Sequence, residues 1–180
     1  MSIETATAVV AFWRTAGPDR WFEKDAAFDD EIRRRFLSTY EAAAAGKLTD
    51  WEQNAEGALA LLILLDQFPR NMFRREARAF ATDPVARGIA SRGILNGFDG
   101  AFPDLRAFFY VPFEHSENLA DQERGIALYK AANDADGLKW AELHADIIRR
   151  FGRFPHRNPA LGRVTTREEQ KFLDDGGFAG

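Results

Sequence analysis

The 180-residue chain contains no cysteine. Without thiols, disulfide scaffolding, thiol nucleophiles, thiolate zinc sites and cysteine-held iron–sulfur clusters are excluded. The absence fits a reducing cytoplasm, where the protein is expected to reside. Long apolar runs are missing too. The longest, Ala58 to Leu65, is far short of the roughly 18 to 20 residues needed to cross a bilayer, so no membrane role is expected. The start, Met1-Ser-Ile-Glu-Thr, has no basic region followed by an apolar stretch, and no signal peptide is expected. Neither sign of charge dominates: 24 basic against 28 acidic groups leave a net charge of -4, which argues against nucleic-acid binding. Glycine-rich phosphate loops and a spaced dinucleotide fingerprint are absent, and Ser116 beside His115 lacks the flanking glycines of a nucleophile elbow. No cofactor is implied.

What is present reads as a single all-α domain over residues 1–180. A chain this long buries roughly 70% of its unfolded surface, enough for stability without staples. Apolar side chains recur at helical spacing, and no stretch alternates as a strand would. A helix over Ile3–Arg14 stops at Gly17-Pro18, and Trp21 and Phe22 fall in a loop. Phe28, Ile32, Phe36 and Tyr40 step by four along a second helix that Gly46 ends. Thr49 with Glu52 forms a capping box for a helix running through Ala58–Leu65 to Phe68. Being apolar all round, that helix belongs in the centre. Pro69 bars Phe68 from helical geometry, so residues 66–71 should make a corner. Asp83-Pro84 opens the next helix.

In the second half, Ser116 caps a helix reaching Ala132, and Asp136 opens another carrying Trp140, Leu143, His144, Ile147, Ile148 and Phe151 on one stripe. Residues 152–159 form an irregular corner. Thr165 with Glu168 makes a second capping box, and residues 175–180 read as a frayed tail. The sum is about eight helices in antiparallel pairs, as a short stack or a compact bundle.

Several motifs together carry a resemblance. Trp21-Phe22, Phe28-Asp29, Leu64-Leu-Asp-Gln-Phe-Pro-Arg-Asn71, Pro112-Phe-Glu-His-Ser-Glu117 and Gly152-Arg-Phe-Pro-His-Arg-Asn158 resemble the bacterial family known as domain of unknown function 924. The resemblance covers nearly the whole chain. It implies a tetratricopeptide-like arrangement of antiparallel helix pairs, but no activity and no catalytic residues.

Three histidines and an unusual charge distribution mark candidate chemistry. His144, on an apolar stripe, reads as a buried neutral imidazole ahead of a ligand or base. His115 lies between Glu114 and Glu117 at a break before a helix, where the carboxylates either favour the helix start or join the imidazole in acid–base work. No metal site is assigned. From Ile147 to Arg167 there are six arginines and His156 but no acid. Arg153, His156, Arg157 and Asn158 surround a proline and can aim donor forks at a carboxylate or phosphate; equally, Arg70, Arg153 or Arg157 can pin helix ends by pairing with Asp29, Asp66 or Glu114.

The leading expectation is a binding protein whose polar pocket gathers Arg70 and Asn71, Glu114, His115 and Glu117, and Arg153, His156, Arg157 and Asn158. Its ligand is a small anionic molecule or a peptide end. The alternatives are a metal-dependent or acid–base hydrolase using Glu114 or Glu117 with the histidines, and a scaffold for a protein partner.

Overall fold

Every regular element among residues 3–179, which this computed structural model describes, is helical. None of these helices is long and apolar enough to cross a membrane. The chain forms two compact units. One is the chain up to Arg74 with Arg78–Pro112; the other is Arg75–Ala77 with the chain from Phe113 onward.

In the first unit, Thr5 caps α1 (Ala6–Ala16) by accepting the Ala8 N–H at 3.2 Å. Gly17 ends it with a φ of 74°, a left-handed value that favours glycine. Pro18 then starts a single helical turn, α2 (Pro18–Trp21), within the expected loop. Asp25 caps α3 (Ala26–Ala44), accepting the N–H groups of Ala27 and Phe28. Helices α1 and α3 bury Ile32 together with Trp13, Phe28 and Phe36, and the rings of these last three pack with Phe12 and Phe68.

Against α1 packs α4 (Ala55–Leu62), in which every residue from Gly57 to Leu62 is buried. The all-round apolar pattern thus marks the central helix, each buried leucine contributing roughly 1.5–3 kcal/mol. Its start differs from expectation. Thr49–Gln53 forms a 3₁₀ turn, and Asn54 caps α4 by accepting the Gly57 N–H at 2.9 Å. The Trp51 carbonyl lies where a Cβ on residue 57 would be, so this approach requires glycine there.

The expected corner at Pro69 is also replaced. Residues Ile63–Gln67 wind as a π-helix and continue into α5 (Phe68–Met72), with Phe68 at helical φ -57° and ψ -34°. The wider π-turn shifts the hydrogen-bond register, so the missing proline N–H falls at the start of a new α-segment, where no partner is needed. Helix α6 (Asp83–Leu95) has Thr82, not the expected Asp83, at its N-cap position, and the Thr82 hydroxyl donates to the Leu65 carbonyl at 2.6 Å instead of capping the helix. Arg106–Phe109 is a 3₁₀ turn, and α7 (Val111–Glu114) follows.

The second unit is built on α8 (Leu119–Ala132) and α9 (Ala135–Phe151), which pack together through a tight turn at Asn133, φ 54°. Their caps are Asn118 and Asp134, accepting the N–H groups of Ala120 and Gly137, rather than the expected Ser116 and Asp136. Ser116 instead donates to Asp121 at 2.6 Å. Helix α9 buries His144, Ile147 and Ile148 but leaves Trp140 50% exposed, so only part of the expected stripe faces inward. Thr166 and Glu169 form the capping box of α10 (Arg167–Asp174), one residue beyond the expected pair. In the segment expected to fray, Phe178 packs on the rings of His144 and His156; residue 180 lies outside the described residues.

Candidate functional site

Seven of the nine predicted site residues lie in the second unit, where the 114–117 turn meets the 153–158 corner. Glu114 is 4% exposed. A carboxylate so buried needs donors, and it has them: the Tyr129 hydroxyl donates to Oε1 at 2.5 Å, and Nδ1 of His144 stands 3.3 Å from Oε2. Nδ1 also lies 2.8 Å from the Trp140 carbonyl, which can only accept, so this ring nitrogen carries a proton. Gln122 clamps the turn, its amide donating to the carbonyls of Glu114 and Ser116 at 2.6 Å each. Its buried Oε1 has no hydrogen-bond partner. Sequence reasoning paired Glu114 with His115; helix packing brings His144 and Tyr129 instead.

Two arginines of the acid-free stretch, Arg153 and Arg163, find carboxylates outside it. Glu117 accepts the Phe154 N–H at 2.9 Å and both outer nitrogens of Arg163 at 2.9 and 3.0 Å. Arg153 pairs with Glu169 through two bonds of 2.6 and 2.9 Å. That fork holds the Glu169 carboxyl down to about 2 from its ordinary 4.5, against burial and with help from the Thr166 N–H. Glu169 in turn raises the Arg153 guanidinium. Arg157 donates to the His115 carbonyl at 2.9 Å and lies over the Phe154 ring. Asn158 is fully buried; its amide donates to Glu169 at 3.2 Å, and its Oδ1 has no hydrogen-bond partner.

Arg70 and Asn71 belong to the first unit. Arg70 Nη2 donates to both carboxylate oxygens of Asp83, at 2.8 and 2.9 Å, while Nη1 donates to the Ala79 carbonyl. Asn71 donates to Asp29 at 2.8 Å, and Arg74 completes that carboxylate's coordination. The partners of Arg70 and Arg153 are thus Asp83 and Glu169, not those named from the sequence. No group of three or more His, Cys, Asp or Glu side chains among the described residues could hold a metal ion.

A shallow cleft of about 350 Å³ runs between α1 and α3, lined by none of the residues singled out from the sequence for binding. Ala8, Ala11, Phe12 and Phe28 give it an apolar lining, and Arg20, Glu31 and Arg35 give it charge. Arg20 stacks 4.1 Å from the Phe28 ring centroid, and Arg35 lies 5.4 Å from that of Phe12. Their carboxylate partners, Asp25 at 3.2 Å and Glu4 at 2.9 Å, are reached through single contacts. The amphipathic face of α1 carried a signal for this cleft, but its second wall depends on how α3 packs.

The chain is similar to a solved structure of a protein of unknown function from Agrobacterium tumefaciens, at 50% identity and a TM-score of 0.91, over 95% of this chain and 97% of that one. Among curated proteins none matches. The bacterial family of proteins of unknown function numbered 924 matches residues 9–177, from α1 to the segment beyond α10, and the chain belongs to that family.

Proposed function

We propose that this protein is a binding module for a small anionic molecule or a peptide end, and that the α1–α3 cleft receives it. The relative exposure of the arginines carries the reading. Arg20 and Arg35 are 44% and 40% exposed and hold single contacts to carboxylates that are themselves 40% and 30% exposed. Such pairs are worth about 0–1 kcal/mol, so a ligand carboxylate can take the place of Asp25 or Glu4. Arg70 and Arg153 instead each engage both oxygens of a buried carboxylate, Asp83 and Glu169. Pulling either arginine away leaves a buried charge uncompensated at about 3–5 kcal/mol, which a small anion does not repay. Stacking of the guanidiniums on Phe28 and Phe12 leaves their edges for hydrogen bonding, and the apolar lining suits a ligand with an apolar body. Glu31 disfavours a second negative charge, so the matching ligand is a monoanion.

The test is titration of 3-phenylpropanoate and its neutral amide into labelled protein, followed by NMR. The carboxylate should shift α1 and α3 resonances saturably while the amide does not. Equal response to both, or response elsewhere only, refutes the reading.

An acid–base enzyme is the second reading, and the Glu114–His144 contact is the observation in its favour. It requires a hydrolytic activity that Glu114→Gln and His144→Gln abolish with the fold intact. An unaltered rate in both variants would dismiss it.

A further inference from the structure

Beyond α10 the chain turns back on the second unit through two glycines. Gly176 has a φ of 84°, and the Gly177 N–H donates to the Phe172 carbonyl at 2.9 Å. A Cβ on Gly177 would run into that carbonyl and the Phe172 ring, so the turn requires a residue without a side chain. The turn delivers Phe178 edge to face onto two imidazoles, His144 at 4.7 Å and 74°, and His156 at 5.2 Å and 81°. Phe154 packs on the same two rings, each 5.6 Å away. Two imidazoles thus flank the side chain of a short segment that lies outside any helix, Phe154 backs both of them, and Phe178 packs from outside onto the cluster of Ile147, Ile148 and Phe154.

We propose that His144, Phe154 and His156 form a recognition slot for an aromatic side chain on a flexible peptide, and that Phe178 is its tethered occupant. The partner chemistry is that of the occupant itself: a phenylalanine flanked by small residues that let the backbone approach closely. Aromatic contacts of this geometry are individually weak, and a single half-buried side chain makes them here. Local opening of such a segment is far easier than global unfolding. Tethering supplies an effective concentration of millimolar order, so the segment keeps the slot closed against dilute peptides and yields to a concentrated or co-localised one. The fixed Nδ1–H of His144, shared between Trp140 and Glu114, holds one wall in place. The slot is built of second-unit residues and the α1–α3 cleft of first-unit residues, so the pentapeptide and 3-phenylpropanoate test the two independently.

The experiment uses the full chain carrying Phe178→Ala and the capped pentapeptide Gly-Gly-Phe-Ala-Gly, reading the side-chain NMR signals of His144 and His156. Saturable shifts are expected in the variant, with at least about tenfold more peptide needed for the same response in the wild-type chain. No shift, or an equal shift with alanine in place of the peptide's phenylalanine, overturns the proposal. So does global unfolding of the variant, because Phe178 would then be a core residue and not an exchangeable occupant. Hydrogen exchange of the wild-type chain is the second measurement. Amides of residues 177–179 should exchange at least about a hundredfold faster than those in the middle of α9, and exchange of the two together overturns the slot.

Discussion

Glu114 Oε2 stands 3.3 Å from Nδ1 of His144, and the same carboxylate accepts the Tyr129 hydroxyl at 2.5 Å on its other oxygen. One buried acid therefore organises groups from α8 and α9 that are 15 and 30 positions away in the chain. Glu114→Ala leaves a buried hydroxyl and a buried imidazole without that acceptor. The expected loss is about 3 kcal/mol, while Tyr129→Phe should cost about 1 kcal/mol. Urea denaturation of the two variants checks the order; a larger loss in Tyr129→Phe would show that Glu114 is not the organising group.

Acid should weaken the protein through Glu169. Its carboxyl titrates near 2 in the folded chain against an ordinary 4.5, because Arg153 holds the charged form. Depression of the folded value means that the stabilisation is complete above pH 4.5 and is lost as the pH falls towards 2. The shift corresponds to about 3 kcal/mol at most. Glu169→Gln should lower stability at neutral pH and flatten this acid limb, as thermal melts across the window would record.

Close approach of α8 and α9 makes a steric prediction. A Cβ on Gly137 would overlap the Tyr129 ring, whereas a Cβ on Gly100 meets nothing within 4 Å. Gly137→Ala should destabilise by about 1–3 kcal/mol, and Gly100→Ala should be neutral or stabilising by a few tenths. Equal effects in chemical denaturation would contradict the packing described.

For the cleft, Arg20→Ala and Arg35→Ala should each weaken 3-phenylpropanoate binding at least about tenfold and change stability by less than about 1 kcal/mol. Arg153→Ala should do the reverse, leaving binding intact while destabilising the fold. Calorimetric titration paired with melting curves separates the two patterns.

Local chemistry carried far into the architecture. The step of four through Phe28, Ile32 and Phe36 is enough to specify α3 and its buried face, since only a helix brings those side chains to one side. The same holds for α4, whose all-round apolar residues have nowhere to go but the centre. Caps were less legible. Ser116, Asn118, Asp134 and Asp136 are all competent cap residues, and a shift of one or two positions costs little locally. The π-turn before Pro69 was hidden for a similar reason: proline announces a missing N–H but not whether the chain breaks or rewinds around it.

Composition and periodicity alone determined an all-α protein without thiol chemistry, and its motifs led to the family. Tertiary structure decided which charges meet. Arg163 reaches Glu117 across 46 positions and Arg74 reaches Asp29 across 45, and no local pattern ties such residues together. Helical periodicity is a property of a few neighbouring residues, set by backbone geometry; ion-pair choice is a property of burial, where each carboxylate taken from water must find whatever donor the packed helices bring to it. An arginine-rich stretch could therefore be seen in the sequence, but whether its forks were free for a ligand or already occupied depended on Glu117 and Glu169 arriving from outside it.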